Sequence, residues 1–288
     1  MDPFPTLAPY ARETRIASGL RLFYFAAGDP ANPPMLLIHG LGDEADTWRH
    51  VIPALAERFY VIAPDLPGFG RSDQPDTAYS LDFLTASLLG LLHSLGIPKA
   101  WLVGSSLGGI LAQSIALSQP ERVERLALLD GSLLARRQPL SMQLLLFLVP
   151  GLGEWMYKRL RRDPAAAYAS LRPYYANLDG LPQADQDFLY QRVQERVWSD
   201  GQRRAYLSVL RSLAGSVTRL QKDLPARLAA LATPTLVMWG EQDQINPIEN
   251  AHALAQAQPS ARLVTLADCG HLPHQERPQE TLAALLDF

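Results

Sequence analysis

Gly104-Ser105-Ser106-Leu107-Gly108 sets a serine two residues from a glycine on either side. Before it, Trp101-Leu102-Val103 is short and apolar; after it, Leu107 to Leu117 has helical spacing. Strand, sharp turn and helix, in that order, form the context in which a G-x-S-x-G serine exposes its hydroxyl on a strained turn. The flanking glycines let strand and helix close on each other where a Cβ would intrude. The helix that follows aims its first N–H groups and positive dipole end at charge growing beside Ser106. The chemistry this suits is nucleophilic attack on a carbonyl. With Ser105 as nucleophile the glycines fall at the wrong offsets. An ordinary tight turn is the competing reading, so the pentapeptide needs partners elsewhere in the chain.

One partner is a hole for the oxyanion. His39-Gly40-Leu41-Gly42 follows an apolar run, and the Leu41 N–H paired with that of Leu107 would supply two donors, with Gly42 as second choice to Leu41. His39 itself reads as a loop-ordering residue. A serine hydroxyl also needs a base, and the base needs a carboxylate to fix its tautomer. Of the six histidines, His50, His93 and His252 lie in helical stretches. His271 follows the last apolar run through Ala267-Asp268-Cys269-Gly270, and Gly270 gives the backbone freedom to aim it; His274 is the alternative. For the acid, in the order Ser, acid, His, Asp243 follows Thr235 to Trp239 through Gly240-Glu241-Gln242, and Asp130 is its rival. Asp130 leads straight into a change of pattern and could cap its entry; Asp65 and Asp73 read as loop-ordering groups.

These residues need a frame that brings distant loops to one edge. Short apolar runs recur at Met35 to Ile38, Tyr60 to Ala63, Trp101 to Val103, Leu126 to Leu129, Leu236 to Trp239 and Leu263 to Leu266. Such unbroken runs suit strands buried on both faces. Helical spacing fills the gaps at Trp48 to Phe59, Leu81 to Leu95, Leu107 to Leu117, Ile248 to Ala257 and Gln279 to Leu286. Alternation of this kind predicts an α/β fold with a parallel sheet between helices. Glu13 to Ala17 and Leu20 to Ala26 form a hairpin ahead of it. The alternation stops between Gly131 and Leu224, where helices are expected at Ser141 to Val149, Glu154 to Arg162, Pro164 to Leu171, Ala184 to Val197 and Gln202 to Ala214. A helical insert in a β/α series sits over the carboxyl ends of the strands, where ligands bind.

Composition sets outer limits. A chain of 288 residues that is 48% hydrophobic and 19% charged buries a core without staples, and Cys269, its single cysteine, forms no internal disulfide. The net charge of -3 gives no global reason for a nucleic-acid partner. Met1-Asp2-Pro3-Phe4-Pro5 is not a basic stretch leading into an apolar one, and the longest apolar run, Leu144 to Val149, falls far short of the roughly 18 residues that span a bilayer. A cytoplasmic protein without membrane insertion is the expectation. No HExxH or paired cysteines suggest a metal, and the proposed chemistry needs no cofactor.

Taken together, His39-Gly40, Asp65-Leu66-Pro67-Gly68-Phe69-Gly70-Arg71-Ser72, Gly104 to Gly109, Gly240-Glu241-Gln242-Asp243 and Gly270-His271 resemble the α/β-hydrolase superfamily in order and spacing. The resemblance covers about Ile16 to Gly131 and Leu224 to the end. It implies a mostly parallel eight-stranded sheet flanked by helices, a Ser106–His271–Asp243 triad and a helical cap. The domain expectation is thus a core over 1–131 and 223–288, with a cap over 132–222. Bacterial carboxylesterases and monoacylglycerol-lipase-like members look nearest, which implies a small-molecule ester as substrate. C–C bond hydrolysis, lactonase or perhydrolase chemistry, and a ligand-binding role with little turnover, stay open. Haloalkane dehalogenase and epoxide hydrolase chemistry fit poorly, since those relatives place Asp where this chain has Ser106. Met142 to Val149 with Trp155, Met156 and Tyr157 could line an acyl pocket or simply pack a cap helix. Lys158, Arg159, Arg161 and Arg162 suit either contact with lipid aggregates or a solvated face.

Overall fold

A computed structural model describes residues 1–134, 142–220 and 223–288. Eight strands, β1 (Ala11–Arg15), β2 (Arg21–Ala27), β3 (Pro34–Ile38), β4 (Tyr60–Pro64), β5 (Ala100–Ser105), β6 (Val123–Leu129), β7 (Thr235–Gly240) and β8 (Arg262–Leu266), form one sheet in the order β1-β2-β4-β3-β5-β6-β7-β8. The β1–β2 and β2–β4 pairs are antiparallel and the remaining pairs are parallel. The expected hairpin is β1–β2.

Parallel strands with crossover connections are covered on both sides, and the side chains of β3 divide accordingly. Leu36 and Ile38 pack on one face with Leu84, Leu88 and Leu91 of α2 (Leu81–Ser94) and Leu111 and Ile115 of α3 (Leu107–Ser118). Met35 and Leu37 pack on the other with Trp48, Leu55 and Leu285. Each such fully buried Leu or Ile contributes on the order of 1.5–3 kcal/mol.

One expected helix is much shorter than predicted. Trp48 to Phe59 resolves into a 3-10 turn over Ala45–Trp48 and α1 (Ile52–Leu55). Pro53 is the reason: it lacks an N–H, and its ring would strike the carbonyl of Arg49, so no helix runs through it. It sits instead in the first turn of α1.

Between β6 and β7 lie α4 (Met142–Leu148), α5 (Leu152–Arg159), α6 (Pro164–Ala169), α7 (Gln183–Trp198) and α8 (Asp200–Leu220). The regular elements described between residues 132 and 222 are all helices; residues 135–141 and 221–222, including Ser141 at the start of the first expected helix, lie outside the described residues. After it come α9 (Leu224–Ala229), α10 (Glu249–Ala257), α11 (Pro273–Glu276) and α12 (Pro278–Asp287). Buried ion pairs tie the insert to the core: Arg49 Nε to Asp185 Oδ1 at 2.6 Å, Arg196 Nη2 to Asp43 Oδ1 at 2.7 Å and Arg192 Nε to Glu44 Oε1 at 3.3 Å. No helix among the described residues is long and apolar enough to cross a membrane.

The sheet order reverses its direction of growth at β3, whose neighbours are β4 and β5. Ligand crevices in open α/β sheets form at such a switch point, outside the carboxyl ends of the strands. The segments that begin at His39 and Ser106 leave from there.

Candidate active site

Ser106 takes φ 54° and ψ −115°, a conformation that side-chain-bearing residues seldom adopt and that costs on the order of 1–3 kcal/mol. Neighbouring backbone holds it there. The Ser106 N–H donates to the Leu129 carbonyl at 2.8 Å, and Ile110 N donates to the Ser106 carbonyl at 3.2 Å. A Cβ on Gly104 would collide with the Gly108 carbonyl, one on Gly108 with the Ile38 carbonyl, and one on Gly131 with the Ser106 carbonyl. The elbow therefore requires glycine where the sequence supplies it.

The loop after β3 lies against the same serine. A Cβ on Gly40 would stand 3.3 Å from Ser106 Cβ and 3.9 Å from its Oγ. Leu41 is the next residue in that loop. Leu107 N is at the first position of α3, where an N–H has no acceptor within the helix.

His271 reaches the site through its loop after β8. Its backbone N–H donates to the Tyr174 carbonyl at 2.9 Å. Nδ1 lies 2.7 Å from Asp243 Oδ2, both side chains being buried. A carboxylate only accepts, so Nδ1 carries a proton, and in the neutral ring Nε2 is the nitrogen with the lone pair. Nε2 is buried and makes no hydrogen bond among the described residues, which leaves it available to a hydroxyl. The other Asp243 oxygen, Oδ1, accepts from Ile245 N at 2.8 Å and Asn246 N at 2.9 Å. Gly240 brings the two loops together, for a Cβ there would run into the Gly270 carbonyl. Glu276 Oε1 accepts from Gly270 N at 2.8 Å and pins the turn.

The rivals sit elsewhere or do other work. His274 Nε2 is 2.7 Å from Thr47 Oγ1, and its ring lies 4.2 Å from that of Trp48; burial pushes its pKa down to about 3. Both nitrogens of His39 are engaged: Nδ1–H donates to the Gly40 carbonyl at 2.8 Å and Nε2 accepts from Leu66 N at 2.9 Å, while burial lowers its pKa. His39 orders the loop. Asp65 does likewise, accepting from Ala45 N and from Arg71 N, each at 2.8 Å. Asp130, by contrast, is at the site. One oxygen of Asp130, one of Asp243 and one ring nitrogen of His271 lie within 4.8 Å of one another. Within that triangle, His271 Nδ1 is already hydrogen-bonded to the Asp243 carboxylate.

Tyr174 and Tyr206 go unread in the sequence, and Tyr157 reads there only as a residue that could line an acyl pocket or pack a cap helix. The Tyr174 ring is 5.7 Å from His271, the Tyr206 ring would touch a Cβ on Gly42 at 3.0 Å, and Tyr157 lies 5.7 Å from Tyr206. Burial raises all three hydroxyls, Tyr157 to about 12, so they stay protonated. Burial alone would raise Asp43, but the Arg196 charge, with His39 and hydrogen bonds, holds it below the usual carboxylate range. No motif marks Tyr174 or Tyr206. Leu145, Leu146, Val149 and Trp155, which could have lined an acyl pocket or packed a cap helix, are exposed. The Arg159 guanidinium lies over the Trp155 ring, and Arg161 pairs with Asp200.

A family model described as alpha/beta hydrolase fold matches residues 33–278. The chain belongs to that family. Among α/β-hydrolases, a 2-hydroxy-6-oxononadienedioate/2-hydroxy-6-oxononatrienedioate hydrolase of Burkholderia vietnamiensis is 31% identical over 97% of this chain and 94% of its own. The structure of 2-hydroxy-6-oxo-6-phenylhexa-2,4-dienoate hydrolase from Rhodococcus sp. strain RHA1 superposes with a TM-score of 0.81 at 29% identity, covering 96% of this chain and 98% of that one. A thermophilic esterase from Thermogutta terrifontis gives a TM-score of 0.76 at 26% identity, with coverage of 96% and 97%. The α/β-hydrolase chain is accordingly a hydrolase, with the eight-stranded, mostly parallel sheet that the sequence resemblance implied.

Proposed function

We propose that this α/β-hydrolase is a serine carboxylic-ester hydrolase that works through an acyl-enzyme, with the helical insert as its cap. Ser106 Oγ attacks the ester carbonyl while His271 Nε2 takes its proton, and Asp243 steadies the imidazolium through Nδ1. The N–H groups of Leu41 and Leu107 receive the oxyanion. The leaving alcohol takes the proton back from His271; water, deprotonated by the same nitrogen, then releases the acid and frees Ser106. The observation that carries this reading is the divided His271 ring, with Nδ1 on Asp243 and Nε2 buried with no hydrogen-bond partner among the described residues.

C–C hydrolysis is the second reading, favoured by the Burkholderia and Rhodococcus relatives, whose substrates are named as a dioate and a dienoate. Anionic substrates of that kind favour a cation free to meet them. Arg196, whose charge reaches Tyr157 and Tyr174, is already held by Asp43 and Glu44, and Arg161 and Arg203, which also reach Tyr157, pair with Asp200. A neutral ester suits such a wall better. Side-by-side turnover of p-nitrophenyl esters from acetyl to palmitoyl, monoglycerides, lactones and a dienoate diketone tests the choice. Ester hydrolysis that vanishes in Ser106→Ala supports the proposal; turnover of the diketone alone rejects it.

A further inference from the structure

Asp130 follows β6 at φ 49° and is fully buried. Its Oδ1 accepts from Gly240 N at 2.9 Å and its carbonyl from Asn246 Nδ2 at 2.7 Å. Oδ2 is buried and meets no donor among the described residues. Asp243 stands beside it with its own oxygens already engaged by His271, Ile245 and Asn246. Two ionised carboxylates this close in a dry site repel each other and offer only acceptors, so Oδ2 of Asp130 would be orphaned. One proton resolves both problems.

We propose that Asp130 is protonated and donates a hydrogen bond to the Asp243 carboxylate, so that the pair bears a single negative charge aimed at His271. Asp130 is then a positioning residue: it fixes the Asp243 oxygens without adding a second charge behind the imidazole. The catalytic consequence rests on the triad proposed above; the protonation state does not. Burial first, and the Asp243 charge second, raise Asp130 well above the carboxylate range. Glu276 pushes the same way, the Gly240 N–H opposes, and the Cys269 thiol nearby is itself raised by burial and so stays neutral.

Infrared difference spectra of wild type and Asp130→Asn at pH 7 test this. Asparagine keeps an oxygen for Gly240 N and a donor for Asp243, and it tolerates the left-handed backbone. The expected difference is loss of a protonated-carboxyl stretch that moves in D₂O. Glu44, Asp46 and Glu276, which burial also raises, remain in both samples and cancel. Loss of a carboxylate signal instead overturns the proposal. Should the amide variant not fold, Asp130→Gly suits the same φ and gives the same subtraction. In parallel, the His271 imidazole titration followed by ¹⁵N NMR should stay within about 0.3 pH unit in Asp130→Asn; a fall of about one unit or more means that a charge was removed, and sinks the idea. Both readouts are independent of ester turnover, so an inactive wild type would refute the esterase reading and leave this one standing.

Discussion

Asp243 Oδ2 and His271 Nδ1 stand 2.7 Å apart although 28 residues separate them in the chain, and neither side chain reaches solvent. Asp243→Asn puts an amide where the imidazole needs an acceptor and favours the wrong tautomer. kcat/KM for a p-nitrophenyl ester should fall by about 10³–10⁴ with the far-ultraviolet circular dichroism unchanged. A fall under tenfold would move the acid role away from Asp243.

The elbow makes a prediction about folding. Ala at Gly108 would drive a methyl into the Ile38 carbonyl, which is backbone of a central strand and cannot give way cheaply. Gly108→Ala should cost about 3 kcal/mol or more, read as a lower urea midpoint, whereas Gly19→Ala meets nothing and loses only what its φ of 86° imposes, about 1 kcal/mol.

Tyr206 bears on acyl length. Its ring borders Gly42 on the loop that would receive the oxyanion. Tyr206→Ala opens that wall, so the ratio of octanoate to acetate turnover should rise at least about tenfold, near the value of a few buried methylenes. An unchanged ratio would place the acyl chain elsewhere.

Arg196 holds two carboxylates together, at 2.7 Å from Asp43 and 3.1 Å from Glu44. Arg196→Met strands Asp43 beside the Gly40 to Gly42 loop and leaves Glu44 with Arg192 alone. Unfolding free energy should drop by about 3 kcal/mol, measured by urea titration, and ester turnover should fall with it.

His274 sets an acid limb on stability. Its pKa is about 3 when folded against an ordinary 6.5, so between those values the unfolded chain binds a proton that the folded chain refuses. The stability it confers is therefore complete above pH 6.5 and is lost as pH falls towards 3. His39 is shifted the same way. His274→Gln should flatten the decline by up to about 1.4 kcal/mol per pH unit, seen as a shallower fall in Tm between pH 6.5 and 4.

What the sequence determined by itself is whatever short-range chemistry dictates. Apolar runs such as Met35 to Ile38 announced buried strands, and Gly104 to Gly108 announced a turn that only glycine permits, because both depend on residues a few positions apart. That Ser106, Asp243 and His271 each follow a strand was legible as well, and parallel strands deliver their following loops to one edge. Tertiary structure decided the rest. Pro53 cut short a helix that periodicity drew through it. Three tyrosines from the insert meet at the site, although nothing local distinguishes them from packing residues. Asp130 and Asp243, which read as competitors, stand side by side, because adjacent strands β6 and β7 end together. Whether two carboxylates compete or share a proton depends on the distance between them and on the water they have lost, and neither quantity is written in either residue's neighbourhood along the chain.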